Sequence, residues 1–238
     1  MSKATAPGTA PTILLIGASR GLGHAMADEF LNIGWNVVGT VRGRDTRTKL
    51  HDLADAYHGR VEIENLDICM PDQLTALRDR LAGRVFSMLF VNAGISNNPA
   101  ETIANVTTDE FVRVMVTNAL SPMRVIETLL HLVVPAGLLG VMSSGQGSIS
   151  NNESGQREVY RGSKAALNMF MRSFAARQSG SSRAIVLMAP GWVRTDLGGP
   201  DGRLSIEESV PNLVRVLIAK QQRPGLEYLD YLGRTVPW

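Results

Sequence analysis

Short apolar runs alternate along the chain with stretches whose apolar residues recur every three or four positions. Thr12-Ile13-Leu14-Leu15-Ile16 is an almost unbroken apolar run that stops at Gly17, the pattern of a strand buried on both faces. Leu22, Met26 and Phe30 then stand one helical turn apart, with Ile33 near the same face and Gly34 as the stop. A strand over Trp35–Val41, a charged amphipathic helix over Asp45–Tyr57 and a strand over Val61–Glu64 follow. Pro71 opens a helix that carries Leu74, Leu77 and Leu81 inward, and Ser87–Val91 reads as the fourth strand. In the second half, Thr107-Thr108-Asp109-Glu110 is an N-cap cluster. The helix behind it is expected to reach about Val133, bent at Pro122. A strand over Gly137–Met142, a long helix over Gln156–Ser179 and a strand over Ala184–Met188 come next. A loop rich in Gly, Pro and Asp over Ala189–Arg203, a helix over Ser205–Gln222 and a short strand over Glu227–Leu229 complete the pattern.

Seven strands alternating with six helices predict an α/β fold. The strands form a single doubly wound parallel sheet with helices on both faces. No break in composition marks a linker, so residues 12–238 read as one domain. Met1–Pro11 is rich in Ala, Thr, Pro and Gly and lacks the apolar centre of a signal peptide, so it reads as a disordered leader. The composition agrees with a sheet covered on both sides: 44% of the 238 residues are hydrophobic and 19% charged. A formal charge of +2 with no dense Lys/Arg block argues against a nucleic-acid partner. No apolar run is long enough to span a membrane. The single cysteine, Cys69, excludes an intrachain disulfide and a multi-cysteine metal site, and it points to a cytoplasmic setting. His24, His51, His58 and His131 have no ligand spacing, and no metal is expected.

In a doubly wound sheet, ligands bind beyond the carboxyl ends of the strands. After the first strand comes Gly17-Ala18-Ser19-Arg20-Gly21-Leu22-Gly23. Its glycines permit a tight turn, close backbone approach and close helix packing, and the helix N-terminus behind them suits a pyrophosphate. After the second strand no acid stands ready for a ribose 2′-hydroxyl. Arg42 stands there instead, and with Arg20 it suits a 2′-phosphate, favouring NADP(H) over NAD(H). Asp67 and Ile68 follow the third strand and could bind and cover an adenine, although Asp67 could equally cap the next helix. Asn92-Ala93-Gly94 follows the fourth strand and could line a cofactor or serve as a turn. Asn118 sits mid-helix, where Asn competes with the backbone. Ser144 follows the fifth strand and could bind a substrate carbonyl. No histidine is placed to make it a nucleophile. Pro190-Gly191, Val193 and Thr195 follow the sixth strand, where the backbone could hold a nicotinamide amide and the loop beyond could act as a lid.

Tyr160 and Lys164 are four residues apart on the long helix, one turn from each other on one face. Leu167 and Met171 continue that stripe. An ammonium beside a phenol favours the phenolate. Moving a Tyr from about 10 to about 7 takes roughly 4 kcal/mol of differential interaction. The pair therefore has the makings of an acid/base group near neutrality. With only four tyrosines and four lysines in the chain, the pairing is rare by chance.

Taken in order, Gly17-x-x-x-Gly21-x-Gly23, Asp67, Asn92-Ala93-Gly94, Asn118, Ser144, Tyr160-x-x-x-Lys164 and Pro190-Gly191 resemble the short-chain dehydrogenase/reductases over nearly the whole chain. The 16-residue step from Ser144 to Tyr160, the run Gly191–Gly199 and the Pro-Trp end look most like the C-factor and sniffer-type carbonyl reductase branch. The resemblance implies a Rossmann-fold oxidoreductase that takes hydride from NADPH to a carbonyl compound, or runs the reverse alcohol oxidation. Tyr160 would be the general acid/base, and Lys164 would tune it and bind the nicotinamide ribose. Ser144 would orient the carbonyl, Asn118 would hold a water leading from Lys164, and Val193 and Thr195 would meet the carboxamide. The partner is a small-molecule carbonyl or alcohol. The helices 107–133 and 156–179 would offer homodimer or homotetramer faces, with Met169, Met171 and Phe174 as apolar surface or, equally, as core. Two departures stand out. Ile16 occupies a position where the family usually has Thr, and Ser148–Glu158 is long and polar. Two other functions compete: a cofactor-binding regulatory protein of C-factor type with little catalysis, and an NAD-dependent epimerase or dehydratase. The second usually needs a larger substrate domain.

Overall fold

The computed structural model describes residues 10–43 and 46–238. The expected leader lies outside the described residues except for Ala10 and Pro11, and the Pro11 carbonyl already accepts a hydrogen bond from Asn36 N at 2.9 Å. Seven strands form one parallel sheet in the order β3-β2-β1-β4-β5-β6-β7. They are β1 (Thr12–Ile16), β2 (Asn36–Val41), β3 (Val61–Asn65), β4 (Phe86–Val91), β5 (Val133–Met142), β6 (Ala184–Ala189) and β7 (Gly225–Asp230). The helices are α1 (Gly21–Asn32), α2 (Lys49–Ala56), α3 (Pro71–Arg80), α4 (Thr108–Met115), α5 (Ser121–Leu129), α6 (Glu158–Arg177) and α7 (Ile206–Gln221). The α/β fold expected from the sequence is borne out. The strand order reverses between β1 and β4, so the carboxyl ends of these two strands flank the crevice.

Alternation within each strand sends successive side chains to opposite layers. Leu14 and Ile16 pack with Leu74, Leu77, Leu129, Leu167 and Phe174 from α3, α5 and α6. Ile13 and Leu15 pack with Met26, Phe30, Leu50 and Leu213 from α1, α2 and α7. Both layers are buried, which is why the strands read as apolar runs rather than as alternating ones.

Four expectations change in detail. The helix expected from 107 to 133 runs from Thr108 to Leu132 but is not α-helical throughout. A π-helical turn, Val116–Leu120, joins α4 to α5, and Pro122, which has no N–H to donate to the ladder, sits just after it. The chain becomes extended at Val133, so β5 starts four residues before Gly137, with Pro135 exposed. Ile33, expected on the inner face of α1, is 45% exposed because the helix ends at Asn32. Met171 and Phe174 are core residues, whereas Met169 and Phe170 are exposed on α6.

Candidate active site

One cleft of about 750 Å³ runs across the carboxyl ends of the strands. Its floor is the turn between β1 and α1. Gly17 has φ +87°, a conformation L side chains rarely adopt, and a Cβ there would lie 2.9 Å from Ala93. A Cβ on Gly23 would lie 2.0 Å from the Gly17 carbonyl oxygen and 2.6 Å from Asn92 Nδ2. The reason for this crowding is a hydrogen bond: Asn92 Nδ2 donates to that same carbonyl at 2.8 Å. The 92–94 segment is thus tied to the glycine turn across the sheet. Gly23→Ala is expected to destabilise the fold by about 1–3 kcal/mol, since backbone must move to admit one methyl. It should weaken dinucleotide binding as well. Thermal melts and titration with NADP⁺ check both.

The departure at Ile16 has a local answer. Gly17 N donates to the Thr40 hydroxyl at 2.9 Å, and Thr40 is buried on β2. A hydroxyl from the neighbouring strand therefore satisfies this turn N–H, and Ile16 is free to be core. Sequence reading missed Thr40 because a Thr in mid-strand looks like any β-branched residue.

Ser19, Arg20, Gly21 and Leu22 line the cleft with Arg42, Asp67, Ile68, Asn92, Ala93 and Gly94. Arg42 follows β2 directly and is exposed at the lip. Arg20 is also exposed, and its guanidinium pairs with Asp196 from the loop after β6, so a strap spans the cleft mouth. Asp67 does not cap α3. Its Oδ1 accepts from Cys69 N at 2.9 Å, and Pro71 opens α3 with Met70 at the N-cap and no side-chain cap bond. Ile68 is buried.

The π-helical turn carries Asn118, fully buried. Its Nδ2 donates to Ile95 O at 2.8 Å and to Ser163 Oγ at 3.0 Å, and its Oδ1 accepts from Ile95 N at 2.9 Å. Such turns widen the backbone ladder and recur at functional sites. Here the widening seats an amide between the 94–95 segment and α6. A Cβ built on Gly94 would stand 3.4 Å from both Asn118 Oδ1 and Lys164 Nζ, so glycine leaves room where these two groups converge.

Tyr160 and Lys164 lie on the first turns of α6 and are 7% and 3% exposed. Lys164 Nζ donates to Met142 O, at the end of β5, at 2.9 Å and lies 5.9 Å from the centre of the Tyr160 ring. Burial lowers the Lys164 ammonium to about 8. Burial also raises the Tyr160 phenol above its usual value, against a smaller downward pull from the Ser144 hydroxyl and the Arg157 guanidinium. The expectation that Lys164 pulls the phenol down is therefore corrected for this geometry. Desolvation dominates, and the ammonium is turned toward the Met142 carbonyl.

Ser144 Oγ accepts from Gln146 N at 3.1 Å, and the Ser144 carbonyl accepts from the buried Tyr228 hydroxyl. A short 3₁₀ turn, Gly145–Gly147, follows. Asn168 fastens it by donating to Gly147 O at 3.1 Å, while Asn168 Oδ1 accepts from Ser143 Oγ at 2.6 Å. On the far side, Pro190, Gly191, Trp192, Val193 and Thr195 line the cleft. Pro190 O accepts from Ser209 Oγ at 2.7 Å, and the loop is stitched by Arg194 N donating to Leu204 O at 2.9 Å. Ile95 and Gln146 also line the cleft. Ser96 does not, although its hydroxyl accepts from Arg157 Nη2 at 3.0 Å. Arg157, Asp230, Tyr231, Arg234 and Val236 also line the cleft and escaped sequence reading. For the last four the signal was available, since they end or follow the seventh strand. Among the described residues, no cluster of three or more His, Cys, Asp and Glu side chains could hold a metal, and no helix is long and apolar enough to cross a membrane.

Comparison with known proteins agrees with this architecture. The family model for short chain dehydrogenases matches residues 11–203. The chain belongs to the short-chain dehydrogenase/reductase family, whose members are oxidoreductases acting on CH–OH and C=O groups with a nicotinamide cofactor. The C-signal protein of Myxococcus xanthus is 36% identical over 153 residues, covering 63% of this chain and 92% of that protein. A short-chain dehydrogenase/reductase structure from Burkholderia multivorans with bound NADP superposes with a TM-score of 0.95 at 68% identity, covering 97% of this chain and all of that one. A carbonyl reductase of Pseudomonas aeruginosa in complex with NADP gives a TM-score of 0.89 at 31% identity, over 97% of this chain and 100% of that one. The resemblance to the C-factor and carbonyl reductase type is borne out.

Proposed function

We propose that the protein is an NADPH-dependent carbonyl reductase, reversible toward alcohol oxidation, with Tyr160 as its general acid/base. The carrying observation is convergence. One cleft joins the glycine turn, the hydroxyl of Ser144, the buried phenol of Tyr160 and the buried ammonium of Lys164.

The residues fit a dinucleotide. Gly17 and Gly23 form a cradle that a Cβ would fill, α1 presents its free N–H groups behind it, and Gly94 keeps space beside Lys164. Gly17, Ser19, Arg20, Gly21, Leu22 and Gly23 would hold the pyrophosphate. Asp67 and Ile68 would hold the adenine, and Asn92, Ala93 and Gly94 would line the cofactor. Pro190, Gly191, Val193 and Thr195 would take the carboxamide end, and Tyr160 and Lys164 the nicotinamide ribose. NADPH, when bound, supplies the hydride.

The remaining steps belong to the chain. Ser144 orients the substrate carbonyl. Tyr160, a protonated phenol at neutral pH, donates its proton to the carbonyl oxygen. Lys164 holds positive charge beside the phenol, and Asn118 braces the segment through which that proton is replenished. Arg42, with no acid at the end of β2, supports NADP(H) over NAD(H). Arg42→Ala is expected to weaken NADPH binding roughly tenfold, the size of one charge-assisted contact, and to leave NADH binding as it was. Paired fluorescence titrations read this, and an equal loss for both cofactors would remove Arg42 from the 2′-phosphate site.

The similarity to C-signal favours a second reading, a cofactor-binding signalling protein with little catalysis. NADPH consumption across aldehydes, ketones and quinones, with Tyr160→Phe as control, separates the two. Wild-type consumption that this variant loses supports the reductase, and its absence across the panel supports the binder. A single domain over residues 12–238, a cytoplasmic setting, a small-molecule partner without nucleic acid or membrane, and a homodimer or homotetramer complete the proposal. Exposed Met169 and Phe170 on α6 and Phe111 and Val112 on α4 support the assembly.

A further inference from the structure

We propose that Arg157 is an anion-recognition residue of this site, and that the substrate carbonyl compound carries a carboxylate close to its carbonyl group. The inference rests on the carbonyl reductase reading and names its substrate class.

Arg157 immediately precedes α6 with φ 59° and ψ 43°, and among the described residues it is the non-glycine residue with positive φ. Left-handed backbone is disfavoured for a long side chain without local compensation. In this conformation the side chain turns into the cleft, and the guanidinium carbon lies 5.2 Å from the centre of the Tyr160 ring. Three other arginines lining the cleft have acidic partners: Arg20 with Asp196, Arg113 with Glu110 and Arg234 with Asp230. Arg42 stands exposed at the lip. Arg157 is half-buried, and among the described residues it pairs with no carboxylate.

Its Nη2 donates to the neutral Ser96 hydroxyl, and its Nε is buried with no hydrogen-bond partner. A partly desolvated charge that lacks a counter-ion is costly to the fold. A guanidinium presents a planar fork that matches a carboxylate, so an anionic substrate offsets that cost when it binds. The guanidinium lies over the phenol ring, and in the carbonyl reductase reading that phenol donates to the carbonyl oxygen. The anionic group is therefore within a short span of the carbonyl, as in an α-keto acid or a carboxylated aryl aldehyde.

The test compares two acids with their neutral esters: benzoylformate with methyl benzoylformate, and para-carboxybenzaldehyde with its methyl ester. Binding to the wild-type enzyme–NADP⁺ complex is measured by calorimetry. At least one acid is expected to bind roughly tenfold more tightly than its ester, the size of one charge-assisted contact. Arg157→Asn suits the left-handed backbone, so it should fold, and its acid-to-ester ratio should fall to near one. Arg157→Lys keeps the charge without the fork and should retain part of the ratio. Wild-type binding that favours neither acid, or a preference that survives in Arg157→Asn, overturns the proposal. If Arg157→Asn does not fold, an undiminished ratio in Arg157→Lys overturns it equally. The readout is binding, so a failure of carbonyl reduction sinks the functional reading separately. Reduction of the esters without any preference for the acids sinks this inference alone.

Discussion

Tyr160→Phe is expected to lower turnover by about 10²–10⁴-fold, the usual worth of a positioned general acid. NADPH should still bind. The phenol is 7% exposed, and burial holds it above its ordinary pKa, so at neutral pH it carries the proton that reduction requires. The substitution removes that proton while keeping the ring that Arg157 and Lys164 face. The expected signature is a collapse of kcat with NADPH still bound, its dissociation constant changing far less than kcat. Steady-state kinetics paired with NADPH fluorescence titration separate the two quantities.

Lys164→Met is expected to act differently, weakening NADPH binding and turnover together. Loss of a buried charge-assisted donor costs about 1.5–3 kcal/mol, or roughly 10–100-fold in affinity. The ammonium is 3% exposed, hydrogen-bonded to Met142 O and lowered by burial to about 8. Wild-type cofactor binding should therefore weaken as pH rises through about 8, where the charge is lost. The effect on stability has the opposite sign. An unfolded lysine titrates near ~10.4, so between about 8 and about 10 the unfolded chain binds more protons than the folded one. The stability deficit from burying this charge is fully present below about 8 and is relieved as pH rises through that window. Denaturant titrations of wild type and Lys164→Met at a series of pH values isolate it as a difference. Parallel curves would remove Lys164 as its source.

The features most legible in the sequence were those that local periodicity dictates. Strands such as Leu14–Ile16 and Leu187–Ala189 are buried on both faces and announce themselves as apolar runs. The glycine turn and the Tyr160/Lys164 pair were readable because steric crowding at Gly23 and helical spacing leave a mark in one dimension. What stayed hidden depends on partners distant in sequence. The π-helical turn seats the Asn118 amide against Ile95 and Ser163, and no local pattern names those partners. Leu129, Leu132 and Val133 continue a helical stripe, yet Val133 pairs with Phe86 and opens β5. Thr40 serves the glycine turn across a strand boundary. The raised phenol of Tyr160 follows from burial depth, which helical spacing between Tyr160 and Lys164 cannot express. Arg157 was lost in a long polar stretch, because only a left-handed backbone turns it toward the phenol.

The central claim is that this cleft moves a hydride between NADPH and a carbonyl carbon with Tyr160 supplying the proton. Its most direct test is isotope transfer. NADPH deuterated at the reducing carbon of its nicotinamide ring is incubated with the wild-type enzyme and a carbonyl compound, and the alcohol is examined by mass spectrometry. One deuterium on the former carbonyl carbon with the wild type, and essentially no labelled alcohol with Tyr160→Phe, is the predicted result. Labelled alcohol formed at an undiminished rate by Tyr160→Phe, or none formed by the wild type across aldehydes, ketones and keto acids, would contradict it.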